Sequence, residues 1–224
     1  MSNPWLSIPL EEYEGHMDSA GVEQLAPLAE LFKCALDSCV PESVAILGVA
    51  GGNGLDQIDT TVTKRVVGVD VNQCYLDEAQ GRFGSLPGLQ LHCCDLTDST
   101  LSLAPVLLVH AALIFEHVGL GVALDNALSL VAHRGSFSVV LQLPSEQESG
   151  VARTRYTSMQ ILKDHFQLVN TREFQCLLDQ RGFHIVEQKT RLLPAGKALW
   201  LGIFTKDAEP CFPGSNKPRS SGSS

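Results

Sequence analysis

The chain has 224 residues, 44% of them hydrophobic, with a formal charge of −9 at pH 7. That is the size of one α/β domain with a sizeable core and room for a small appended segment. The acidic balance argues against nucleic acid, which needs a basic stripe. No stretch reads as a signal peptide or membrane span, so the expectation is a cytoplasmic protein with a small-molecule partner.

The first 24 residues mix Trp5, Ile8, Leu10, Tyr13, His16 and Met17 with acids. They read as a segment that closes over a site or packs on a sheet. Helical spacing follows from Leu25 to Leu36. Val44–Val49 is an apolar run, Ala50–Gly54 a glycine-rich turn, and the next few residues can be helical. A second apolar run, Val66–Val69, ends on Asp70. Strand, tight turn, helix and a second strand closing on a carboxylate make the first half of a nucleotide-binding α/β sheet. The carboxylate can accept hydrogen bonds from both hydroxyls of a ribose.

Asn72 is placed to cap a helix running to about Phe83, and Pro87-Gly88 is a turn. Leu89–Cys94 reads as a third strand ending on Asp95, and Val106–Ala111 as a fourth, with Glu116 and His117 just beyond it. Leu120–Ala132 is expected to be helical, Arg134-Gly135 a turn, and Ser136–Leu143 a fifth strand. Residues 144–169 read as an inserted helix carrying Arg153, Arg155, Tyr156, Met159 and Phe166. Asn170 and Glu173 have capping-box spacing for a helix ending at Arg181-Gly182. Phe183–Leu193 and Leu199–Phe204, linked by Pro194-Ala195-Gly196, should pair antiparallel. The tail from Asp207 is expected to be disordered.

The seven cysteines are odd in number, form no CxxC pair and mostly sit in apolar runs. They read as reduced thiols, and Cys93-Cys94 lacks zinc-type spacing, so no metal site is expected.

The order of these elements over residues 25–206 resembles the class I S-adenosylmethionine-dependent methyltransferases. The residues that carry the resemblance are LGVAGGNG in the first turn, Asp70 in VVGVDV, Asp95 in CCDL, the segment VLLVHAALIFEHV, and RGSFSVVLQLP. It implies a Rossmann-like, seven-stranded, mostly parallel sheet flanked by helices, with the last strand antiparallel. It also implies S-adenosylmethionine (SAM) as cofactor, S-adenosylhomocysteine (SAH) as product, and in-line methyl transfer to a small-molecule acceptor. On that resemblance Gly48, Ala50, Gly52, Asn53, Gly54, Asp70, Val71, Asp95, Leu96 and His110 are the expected cofactor residues. His117 is the first candidate for a general base, with Glu116 or His110 second. Tyr13, His16, Arg153 and Tyr156 are the expected acceptor residues. A monomer or homodimer is expected.

Each assignment has a plainer alternative. Asp95 can serve as a helix cap, His110 as a satisfied core histidine, Glu116 and His117 as an exposed helix start, and Arg153 with Tyr156 as a solvated face. The chain also departs from the family pattern: Gly48 stands where an acid is usual and Ala50 where the first glycine is usual. Tyr13, His16 and Asp18 are the candidates to take over the missing acid's role. Two other functions fit the sequence, an NAD-linked oxidoreductase and a non-catalytic SAM-binding regulatory protein. The turn lacks GxGxxG in the dinucleotide register, which counts against the first.

Overall fold

The computed structural model describes residues 3–145 and 151–206. The expected tail from Asp207, Cys211 within it, and residues 146–150 of the expected insert lie outside the described residues.

A short 3-10 turn (Pro4–Ser7), α1 (Leu10–Met17) and α2 (Leu25–Cys39) precede the sheet. The strands are β1 (Ser43–Leu47), β2 (Arg65–Asp70), β3 (Leu89–Cys93), β4 (Val106–Ala112), β5 (Val131–Gln142), β6 (Phe183–Leu192) and β7 (Ala198–Lys206). Between them lie α3 (Gln73–Phe83), α4 (Phe115–Val118), α5 (Val122–Ser129) and α6 (Thr171–Asp179). The seven strands run in the order β3-β2-β1-β4-β5-β7-β6, and β7 is antiparallel to both its neighbours. The chain order reverses between β1 and β4, and such a switch point opens a crevice at the carboxyl ends of the strands.

Alternation along the strands builds a core on each face. Val44 and Ile46 of β1 pack with Leu31, Phe32 and Leu76 from α2 and α3. Ala45 and Leu47 face the other way, into a core with Phe115, Leu124, Phe174 and Leu178 from α4, α5 and α6. The rings of Phe115, Phe137, Phe174 and Phe204 form a contiguous aromatic cluster there, with centroids 5.6–6.5 Å apart.

Two expected caps are present. Asn72 Oδ1 accepts from Cys74 N at 3.0 Å, and Asn170 Oδ1 accepts from Arg172 N and Glu173 N. Three elements differ from the sequence reading. The crossover after Gly54 holds only a three-residue 3-10 turn, Leu55–Gln57, where a helix was expected. The helix expected to Ala132 stops at Ser129, and Val131 already pairs with Val106 as the start of β5. The chain then steps out of register before Ser136 pairs with Leu108, with Arg134 left-handed at φ 60°. The expected insert helix is a 3-10 segment, Thr157–Asp164, that packs on α1 and the first turn.

Candidate active site

A cavity of about 1080 Å³, counted out to its mouth, lies at the carboxyl ends of the parallel strands. The loops after β1, β2, β3 and β4 and the end of β5 at Gln142 form its floor, and residues 3–24 with part of 151–166 form its roof.

Asp70 closes β2 on this floor, only 9% exposed. Its Oδ2 accepts from Ala50 N and its Oδ1 from Asn72 N, both at 2.9 Å. Burial pushes its pKa up, and the backbone donors oppose that by stabilising the carboxylate. Each oxygen keeps acceptor capacity beyond its one backbone bond. The carboxylate is therefore fixed in place by the glycine loop it serves.

Gly48 takes φ 72°, and a Cβ there would sit 2.1 Å from Ile114 Cδ1. The left-handed backbone favours glycine at position 48, and the end of the Ile114 side chain, from the loop after β4, occupies the space where an acidic side chain would start. Of the candidates to replace it, Tyr13 and His16 line the cavity, while Asp18 is exposed outside it.

The roof is tied to α3. Tyr75 Oη donates to Ile8 O and Asn72 Nδ2 to Trp5 O, each at 2.9 Å, and Arg82 holds Glu14 through both guanidinium nitrogens. Trp5 meets Tyr13 and His117 edge-on, with centroids 5.6 and 5.0 Å apart. Phe166 closes on the His117 ring from another side at 5.3 Å. Burial, with Asp70 adding to it, raises the pKa of Tyr13, and burial also raises that of Tyr75. Both phenols stay protonated, Tyr75 donating to Ile8 O and Tyr13 keeping its proton as a donor on the cavity wall.

The expected cofactor residues Gly48, Ala50, Asp70, Val71, Asp95 and Leu96 come together on the cavity wall. Asp95 spends one oxygen on Thr97, whose N–H and hydroxyl both donate to Oδ1. Gly52, Asn53 and Gly54 do not reach the wall. Gly52 and Gly54 sit against Phe83 and Phe32, and Asn53 Nδ2 donates to Leu25 O, tying the loop to the start of α2.

His110 is a correction. It is buried on the α2 side, with Nδ1 on Ser138 Oγ at 3.0 Å and its ring against Phe32. Burial lowers its pKa to about 3, so it is a neutral core residue. Glu116 is another. It lies behind the wall, where Oε1 accepts from Gln142 N at 2.8 Å and Oε2 has no partner among the described residues. Burial raises its carboxyl to about 7. His117 does line the cavity, with Nδ1 buried and without a hydrogen-bond partner among the described residues. Burial, with His165 adding to it, lowers its pKa to about 4, so it is neutral at pH 7 and only a weak base.

Among the expected acceptor residues, Tyr13 and His16 line the cavity and Arg153 and Tyr156 do not. Arg153 is exposed. Tyr156 packs on α1 at Gly15, where a Cβ would come within 2.3 Å of its ring, and its hydroxyl accepts from Arg155. Four wall residues carried no strong sequence signal: Gln24, Ile114, Gln142 and Lys197. A lone lysine beside a Pro-Ala-Gly turn reads as a surface residue, and only its 3% exposure marks it out.

No protein-family model and no curated protein sequence matches the chain. Solved structures do. The N-methyltransferase NodS from Bradyrhizobium japonicum WM9, in complex with SAH, is similar at 16% identity and TM-score 0.66, covering 92% of this chain and 99% of its own. Magnesium protoporphyrin IX methyltransferase (ChlM) from Synechocystis PCC 6803, with bound SAM, is similar at 11% identity and TM-score 0.62, covering 92% and 98%. The CcbJ methyltransferase from Streptomyces caelestis follows at 13% identity and TM-score 0.62, covering 87% and 96%. The chain has the class I SAM-dependent methyltransferase fold.

Proposed function

We propose that the protein binds SAM and transfers its methyl group to a small-molecule acceptor by in-line displacement. The observation that carries this reading is Asp70, a buried carboxylate fixed by Ala50 and Asn72 at the end of β2 and facing the cavity at the switch point. A diol-bearing nucleoside fits such an acid, and the neighbouring loops leave room for the rest of it.

In this reading Asp70 accepts from the ribose hydroxyls, and Val71, Asp95 and Leu96 frame the adenine. The backbone from Gly48 to Ala50 lies along the methionine part, with the buried phenol of Tyr13 as a donor above it. When bound, the cofactor supplies a methyl carbon already activated by a sulfonium. What remains for the chain is to align the nucleophile and exclude water. Residues 3–24 and 151–166 do the second by roofing the cavity. The Trp5–His117–Phe166 edge contacts narrow the space beside the β4 loop, where the acceptor is placed. Neutral His117 can take a proton there, though at about 4 it is a weak base. The site therefore suits acceptors that arrive with a lone pair already available, such as a neutral amine or an ionised thiol.

The test is transfer of labelled methyl from SAM to a panel of small amines, thiols, phenols and acids. Label on at least one acceptor, dependent on the protein and suppressed by added SAH, supports the reading. SAH binding with no transfer across the panel would favour a SAM-binding protein without turnover.

A further inference from the structure

The cavity carries opposite charge at its two ends. Asp70 and Asp95 close β2 and β3 at one end of the strand order. At the other end Lys197, the residue just before β7, is the single lysine or arginine among the described wall residues. Its position is built in. Leu193 N donates to Lys197 O at 2.9 Å to close the Pro194–Gly196 turn, and β7 then pairs with β5 so that Leu199 faces Gln142. Because β7 is antiparallel, the residue that precedes it lies where the parallel strands end.

His16 stands beside it on the wall. Its Nδ1 meets Thr154 Oγ1 at 2.9 Å, and the same hydroxyl accepts from Tyr156 N at 3.3 Å. The hydroxyl keeps a second lone pair as well as its proton, so Nδ1 can accept from Thr154 or donate to it; in the first arrangement the imidazole carries its own proton on Nε2 and is a donor there. Burial and, after it, Lys197 lower the pKa of His16, keeping the ring neutral at pH 7. Gln24 Nε2 donates to Gln142 Oε1 at 3.4 Å, which adds a polar amide pair to the same end. An ammonium has three donors, so Lys197 can keep an internal partner and still hold a ligand oxygen.

Strand order sets this end apart from the cofactor's own carboxylate. In the methyltransferase reading the methionine part lies along the loop after β1, at Gly48–Ala50. β7 is three strand positions from β1, on the far side of the β4 loop where the acceptor is placed. The basic end is therefore on the acceptor's side of the cavity.

Resting on the methyltransferase reading, we propose that Lys197 and His16 form an anion subsite for the acceptor, a small monocarboxylic acid whose amine or thiol lone pair takes the methyl group as the methyl–sulfonium bond breaks and SAH leaves. Lys197 Nζ and His16 Nε2 hold the carboxylate, and the Trp5, His117 and Phe166 rings enclose its apolar body. One ammonium beside a neutral imidazole balances a single negative charge, which favours a carboxylate over a phosphate dianion.

The test is calorimetric titration of benzoate, phenylacetate and hexanoate, each beside its neutral amide and with phenyl phosphate as a further arm. Titrations are run with and without saturating SAH. The expected result is at least one acid binding tenfold or more tighter than its amide and tighter than phenyl phosphate. In Lys197→Met the preference should fall below about twofold while SAH affinity holds. Equal binding of acids and amides by the wild type overturns the proposal, as does a preference that survives in Lys197→Met. The wild-type comparison decides the matter even if the variant does not fold. If Lys197→Met instead weakens SAH tenfold but leaves 5′-methylthioadenosine unchanged, the lysine holds the cofactor's amino-acid end and the proposal falls. Failure of SAH to bind at all strikes the methyltransferase reading, and the acid–amide comparison on the protein alone still reads the subsite.

Discussion

Glu116→Gln should flatten the pH dependence of folding. The Glu116 side chain is 1% exposed, and burial carries its carboxyl from an ordinary 4.5 to about 7. Between those values the native protein holds a proton that the unfolded chain has lost. Unfolding free energy therefore falls as pH rises through this window. The stabilisation is complete below 4.5 and gone above 7. At about 1.4 kcal/mol per pH unit, the loss from this one group is about 3 kcal/mol. Glutamine keeps an acceptor for Gln142 N and does not titrate, so the variant lacks that loss. His110 and His117 are already neutral across most of the window and are present in both proteins, so they cancel in the comparison. Denaturant unfolding at pH 5.0 and 8.5 measures the effect. The variant should gain about 2.5 kcal/mol on the wild type between the two pH values, the remainder of the loss falling below pH 5.0, or roughly 5–10 °C in Tm for a domain of this size. Parallel pH profiles would refute the account of Glu116 as a buried, unsatisfied carboxyl.

Two further outcomes follow from the site. Gly48→Asp, which puts an acid where the methyltransferases that the sequence resembles usually have one, should destabilise the fold by about 1–3 kcal/mol without tightening SAH binding. Its Cβ meets Ile114 and its backbone is left-handed, and paired denaturation and calorimetry check both parts. Tyr75→Phe removes the hydroxyl bond to Ile8 O and should cost about 1 kcal/mol. It should also speed amide exchange across residues 5–13, a change that mass spectrometry can localise; unchanged exchange there would mean that the roof is held by other contacts.

Much of the fold was legible because its signals are local. Apolar runs of strand length, the Asn72 and Asn170 caps and the short turn before β7 each depend on a few neighbouring residues. Asp70 was legible for the same reason, as a charge at the end of a buried run. What the sequence hid depends on distant partners. Val131–Gly135 joined β5 because Val131 finds Val106 across the sheet, and nothing in VAHRG announces that pairing. His110, Glu116 and His117 look equivalent along the chain, yet one faces Phe32, one caps the β5 end at Gln142, and one lines the cavity. Tyr156 was drawn away from the cavity by the bare surface of Gly15, some 140 residues earlier in the chain. Lys197 was invisible until its burial was known.

The most direct test of the central claim is calorimetric titration of SAH into the wild type and Asp70→Asn, with NAD as the control ligand. Asparagine keeps one acceptor for the loop backbone and removes the charge that would hold the ribose diol. Micromolar binding of SAH by the wild type, at least tenfold weaker in Asp70→Asn and absent for NAD, is the predicted result. No binding of SAH by the wild type, or binding of NAD in its place, would contradict it.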